Sequence, residues 1–330
     1  VWDAVAVRAG RVVPLAIVAA ISAVEAAILE RLLFRPAGSL DFVVESVRGI
    51  LNGTPVYKAW QQRLLGPLVV AGLDLVTGET ARSLLLVRAG TLVVANLLLY
   101  RVVRARGGGA ASACAAVAAF AIARVISVYR LEYPWDGIDA ILFVIAGDWA
   151  ARDRRLASLG PVLLVGLLNH ETVLYLPLWA LLAPLEPRAR RETATALATA
   201  VVLGAIIVAV RHLAYRGQPV LPGQVFEPTT PFLSNPLHVA HNARALFEWN
   251  WRPGGRPAVS IALFASTALL GWSAARPATR RLALWSFGVL ATIVCFGFVN
   301  ETRLYLPLIA FAIAYAWPPR AARAQFTSSG

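Results

Sequence analysis

Apolar runs follow one another along this chain with short arginine clusters between them, and that alternation limits the possible fold more than any other feature. The runs cover about 12–34, 83–100, 110–129, 138–150, 156–168, 173–185, 194–215, 257–275, 282–299 and 304–317. Of the 330 residues, 58% are hydrophobic and only 15% are charged. A soluble globule of this length has too little interior to hide so much apolar surface. The sequence therefore predicts an integral membrane protein, all-α because a helix satisfies its own backbone in lipid. At about 20 residues per crossing the runs supply roughly nine or ten, which makes 1–330 a single integral membrane domain with no separate soluble part. The first run is too long for a cleaved signal and contains Glu25, so it is read as a retained anchor.

Charge placement gives the orientation. The net charge of +13 comes almost wholly from arginine, Lys58 being the only lysine. The clusters are Arg8/Arg11, Arg101/Arg104/Arg106, Arg152/Arg154/Arg155, Arg188/Arg190/Arg191, Arg276/Arg280/Arg281 and Arg320/Arg323. They hold 16 of the 31 basic residues beside five acids, whereas the rest of the chain has 15 basic and 13 acidic residues. Such bias marks cytoplasmic loops rather than a nucleic-acid surface. Placing every cluster inside gives about ten membrane segments, with both termini cytoplasmic. The run at about 62–77 breaks this count as a crossing and is read as a helix on, or dipping into, the outer face. The excess of arginine over lysine and the richness in alanine fit a bacterium with a GC-rich genome, hence the inner (plasma) membrane.

An internal repeat marks two hairpin tips. Glu171-Thr172-Val173-Leu174-Tyr175-Leu176-Pro177-Leu178 recurs as Glu301-Thr302-Arg303-Leu304-Tyr305-Leu306-Pro307-Leu308, seven identities in eight. Each copy joins two runs of about 13 residues, near 20 Å of helix and short of a 30 Å hydrocarbon core, so the shared tips lie below the outer surface in a cavity. Glu and Thr there cap the returning helix, or else His170, Glu171, Glu301 and Arg303 project into that cavity as a polar site.

The same topology sends the loop 35–82, the turn Glu132–Asp139 and the long segment 216–256 to the outer side. In the first of these, Phe42, Val43, Val47, Ile50 and Leu51 have helical spacing, with Asp41 where the helix starts and Asn52-Gly53 where it stops. In the turn, Tyr133 and Trp135 stand beside Glu132, Asp136 and Asp139, either as a sugar-docking rim or as interfacial anchors, with Asp136 the residue to test first. Segment 216–256 carries His238, His241 and Glu248, too few ligands to define a metal site. Cys114 and Cys295, isolated in apolar runs, are assigned no chemistry. No phosphate-cradling glycine loop is present, so no nucleotide is expected.

An acidic residue followed by Phe after the first membrane helix (Asp41-Phe42), a short amphipathic helix, the turn Gly53-Thr54-Pro55-Val56-Tyr57 and a helix from Arg63 to Pro67-Leu68 resemble the first outer loop of GT-C superfamily glycosyltransferases. Here Arg63-Leu64-Leu65-Gly66-Pro67 stands in place of the family's Tyr-Pro-Pro element. The resemblance implies transfer of a sugar from a polyprenyl-phosphate donor to a glycan, lipid or protein acceptor, with inversion and with Asp41 as general base. It further implies that Arg63 and Arg303 stabilise the leaving phosphate. Glu45, one turn beyond Asp41, could share its proton or bind a divalent cation, or belong to a solvated face. Carboxylates on repeated hairpins also suit a transporter or lipid flippase, and a non-catalytic membrane assembly subunit is a third reading.

Overall fold

The computed structural model describes residues 2–34, 39–53, 63–127, 132–152, 159–181, 187–214, 239–240, 242, 262, 264–266, 277–296 and 302–317. Among these the structure is all-helical. Its elements are α1 (Trp2–Phe34), α2 (Ser39–Asn52), α3 (Leu65–Thr77), α4 (Thr80–Ala105), α5 (Ala110–Ser127), α6 (Pro134–Ala151) and α7 (Gly160–Asn169). After a 3-10 turn at Glu171–Leu174 come α8 (Tyr175–Leu181), α9 (Pro187–Ala214), α10 (Pro277–Phe296), a second 3-10 turn at Thr302–Tyr305 and α11 (Leu306–Ala316). Among the described residues three stretches are long and apolar enough to cross a membrane: Val12–Leu32, Thr80–Ala105 and Ala110–Ser127.

α1 shows the character of a lipid-facing helix most plainly. Its buried positions, Pro14, Val18, Ser22, Glu25 and Leu29, fall three or four apart and form one narrow stripe against α4 and α5. Outside the stripe, Val12, Leu15, Ile17, Val24, Ile28 and Leu32 are all exposed. In water that surface would be a large unpaid hydrophobic cost, but it is the expected outer face of a helix in hydrocarbon. α11 is the opposite case: every residue from Leu306 to Tyr315 is buried, as befits an apolar helix at the centre of a bundle.

α11 lies along α6, closely enough that a Cβ on Gly147 would sit 2.7 Å from the Phe311 carbonyl oxygen. On its other side Phe311 and Tyr315 pack with Trp179 of α8 and Trp285 of α10, with ring centroids 4.6 to 5.8 Å apart for the Trp179–Trp285, Trp179–Tyr315 and Trp285–Phe311 pairs. The bundle has two chemically different ends. At one, Arg106 Nη1 donates to the Ala314 carbonyl at 2.5 Å and Trp317 Nε1 to the Ser112 carbonyl at 3.0 Å. At the other stand the starts of α4 and α6, the end of α7 and the helices α2 and α3.

The loop between α1 and α4 folds much as its pattern predicts. α2 ends at Asn52 and Gly53 takes a left-handed φ of 80°, which a residue with a Cβ rarely adopts. The helix begins at Ser39, not at Asp41, so Asp41 lies in its first turn instead of capping it. There its charge faces the positive end of the helix dipole. α3 has 13 residues, about 20 Å of helix, too short to cross. It exposes Leu68, Val69, Leu75 and Val76.

Candidate functional site

The site is organised by the N-terminus of α6. Pro134 opens this helix, where its missing N–H costs nothing, and the Asp136 carboxylate turns back to accept the Tyr133 N–H at 2.9 Å. The stretch Glu132–Asp139, expected from sequence to be an open rim, is therefore largely the first turns of a helix and is buried. Tyr133 is 4% exposed and Trp135 fully buried, with their rings stacked at 4.6 Å. That excludes both rings from docking a sugar as they stand, and corrects the rim reading. They instead join Val43, Val44, Val47 and Ile50 of α2 in a small second core.

Asp136 and Asp139 are three residues apart and share a face of α6, and each receives one copy of the repeat. The first copy holds Asp139. Asn169 Nδ2 donates to its Oδ1 at 2.6 Å, Thr172 Oγ1 to its Oδ2 at 2.7 Å, and His170 Nδ1 lies 2.9 Å from Oδ2. The second copy holds Asp136, with Arg303 Nη1 3.3 Å from Oδ2 and the guanidinium 4.6 Å above the Tyr133 ring. His170 has an extended backbone that ends α7, and Val173 then folds back onto Gly166, whose hydrogen leaves the room. A break in the helix, which a hairpin requires, is present at the first tip, and both copies form a 3-10 turn followed by a helix with proline near its start.

Arg63 completes this group: it is 6% exposed, with its guanidinium 5.3 Å from the Trp135 ring centre. The adjoining Leu64 N–H donates to the Leu168 carbonyl at 2.8 Å, tying the start of α3 to the end of α7. Of the residues singled out from sequence, Arg63, Asp136, His170 and Arg303 converge here. Asp41 and Glu45 do not join them in the interior; they lie exposed on the side of α2 opposite its packed face. The Glu171 side chain and Glu301 lie outside the described residues, as do His238, His241 and Glu248.

Beneath the α6 N-terminus runs a buried charge network that motif reading passed over. Glu132 accepts from Arg88 Nε on one oxygen and from Arg124 Nη2, at 2.5 Å, on the other. Arg124 Nε lies 3.8 Å from Glu25, whose second oxygen accepts from Asn96 Nδ2 at 3.0 Å. Burial by itself raises a carboxyl pKa, but Arg124 and Arg88 outweigh it and hold Glu132 down at about 2. Two arginines against two glutamates leave the network neutral when all are ionised. The signal was present in the sequence: Glu25, Arg88 and Arg124 each stand inside an apolar run, where an ionisable residue needs a partner.

Among the described residues no group of three or more His, Cys, Asp and Glu side chains is arranged to hold a metal ion. No family model, curated protein or solved structure matches the chain.

Proposed function

We propose that this protein is a polytopic membrane transferase of the GT-C kind, moving a sugar from a polyprenyl-phosphate donor to an acceptor at the outer face of a bacterial inner membrane. One observation carries the reading. α2 packs its apolar face on Tyr133 and Trp135 and leaves Asp41 and Glu45 exposed, at the same bundle end that gathers Arg63, Asp136, His170 and Arg303. An accessible carboxylate on a rigidly seated helix, near fixed guanidinium groups, suits displacement at an anomeric carbon.

In that reaction Asp41 takes the acceptor hydroxyl proton as the oxygen bonds to the anomeric carbon. The bond from that carbon to the phosphate oxygen breaks on the opposite face, and the phosphate leaves with the electron pair. Arg303, held between Asp136 and Tyr133 and 14% exposed, and Arg63 supply positive potential to the departing phosphate. Asp136 and His170 act here as positioning residues, since each is engaged within the protein. About ten crossings, cytoplasmic termini and an outward hollow between the two hairpin tips complete the proposal. Support comes from α3, which is too short to span and exposes apolar residues at the end where an outer-face helix belongs.

Reconstitution into proteoliposomes with a polyprenyl-phosphate sugar tests it. Asp41→Asn is expected to lower transfer by about 10²–10⁴, the usual worth of a general base, with unchanged expression and thermal stability. Because Asp41 is exposed, no loss of folding should confuse the result. Wild-type turnover in the Asp41→Asn protein would remove the residue from the mechanism.

A further inference from the structure

The contact between Asp136 and Arg303 is a loose one. Both oxygens of Asp136 face a single nitrogen of Arg303, Nη1, at 3.4 and 3.3 Å. Charge-assisted bonds usually run about 2.7–2.9 Å, and the surface pair Arg152–Asp148 makes one at 2.8 Å. Each partner is meanwhile anchored elsewhere. Asp136 Oδ2 accepts the Tyr133 N–H at 2.9 Å at the start of α6, and the Arg303 guanidinium lies 4.6 Å from the Tyr133 ring centre. Parting the pair therefore disturbs neither anchor. Arg303 is also the most open charged group of this cluster: its side chain is 14% exposed, against 9% for that of Asp136, while Arg63, His170 and Asp139 are at 6%, 4% and 1%. An anion arriving at this end of the bundle meets Arg303 first, with Asp136 as the standing competitor for it.

We infer that Asp136 is an internal counter-ion, displaced from Arg303 by a lipid-borne phosphate, and that it keeps the site from holding a phosphomonoester more tightly than a phosphodiester. The inference rests on the transfer reading and deepens it, because the diester is the donor and the monoester is what stays on the lipid once the sugar has left. A monoester carries a charge of about −1.5 to −2 at neutral pH, whereas the diester is singly charged. Arg303 alone would favour the more charged species and retain the product. With Asp136 ionised beside it the pair has no net charge, so what the second charge gains at Arg303 it loses by repulsion at Asp136. Asp136 thus acts through Arg303 as a positioning residue and touches none of the reacting atoms.

Native mass spectrometry of the full chain in detergent tests this without turnover, titrating farnesyl phosphate, a monoester, and its methyl ester, a diester. The wild type should bind the two with similar affinity. Asp136→Asn is expected to tighten farnesyl phosphate about tenfold and the methyl ester less, as removal of a nearby like charge requires. Asparagine keeps an oxygen for the Tyr133 N–H, so the start of α6 is preserved. A gain in affinity is also a result that a damaged fold does not produce. Arg303→Gln should weaken both esters. In proteoliposomes Asp136→Asn should lower kcat and KM together, since a retained product slows release. Unchanged or weaker binding of farnesyl phosphate by Asp136→Asn, an equal gain for both esters, or displacement of farnesyl phosphate by equimolar inorganic phosphate would each overturn the inference. The expected affinities without any sugar transfer would instead end the transferase reading and leave the counter-ion role standing.

Discussion

Glu132 shows how much can rest on one side chain. Buried between Arg88 and Arg124, it pairs with two cations that lie deep in the bundle. Removing one partner of a buried pair costs about 3–5 kcal/mol, because the charge left behind has neither water nor counter-ion. Glu132→Gln is therefore expected to lower stability by that order, read as the thermal unfolding midpoint in detergent. The acid response has a definite sign. The carboxyl titrates at an ordinary 4.5 when unfolded and at about 2 when folded, so the unfolded chain takes up the proton first as pH drops. The stabilisation is whole above pH 4.5 and is lost as pH falls from there through about 2. Across that window the wild type should lose stability more steeply than Glu132→Gln, and parallel slopes would assign the acid response to other groups. Sequence reading found Asp136 and Arg303 separately. Their pairing was not legible, since it joins positions 167 residues apart, and neither residue carries a local pattern that names the other.

At the level of elements, the repeat turns out to be a docking device: two nearly identical segments bring Asn169, His170 and Thr172 to Asp139, and Arg303 to Asp136, on one face of α6. The repeat, seven identities in eight, was plain in the sequence, and so was the need for a break at its tip. What it docks against was not, because Glu132–Asp139 was read as a turn, whereas Pro134 is the first residue of α6. α2 was legible from its apolar spacing and from Asn52-Gly53, while its start was displaced by two residues because Ser39 and Asp41 are both plausible openers. The close approach of α6 to α11 depends on Gly147, where a Cβ would collide with backbone at 2.7 Å and with the Ala314 methyl at 2.8 Å. Backbone cannot swing aside as a side chain can, so Gly147→Val is expected to cost about 1–3 kcal/mol. Leaving the unfolding midpoint unchanged would mean that the two helices can separate without penalty.

Among the described residues, the two ends of the bundle carry different polar groups. Arg63, Arg88, Arg124, Glu132, Asp136, Asp139, His170 and Arg303 belong to one half of the bundle, while Arg106, Ser112, Ala314 and Trp317 tie the opposite end. The arginine alternation predicts that the first end faces outward and the second the cytoplasm. α4 joins the two: it has 26 residues and so spans about 39 Å, enough for a hydrocarbon core of about 30 Å. Asn52, at the exposed end of α2, and Ala105, exposed at the end of α4, lie at opposite ends of the bundle and mark opposite sides in the proposed topology. The direct measurement is labelling of Asn52→Cys and Ala105→Cys, each in a background with Cys114 and Cys295 replaced by alanine, using a membrane-impermeant maleimide on intact spheroplasts. Asn52→Cys should react at once and Ala105→Cys only after permeabilisation; reaction of both from one side, or of Ala105→Cys alone in intact cells, would contradict the outward placement of Asp41.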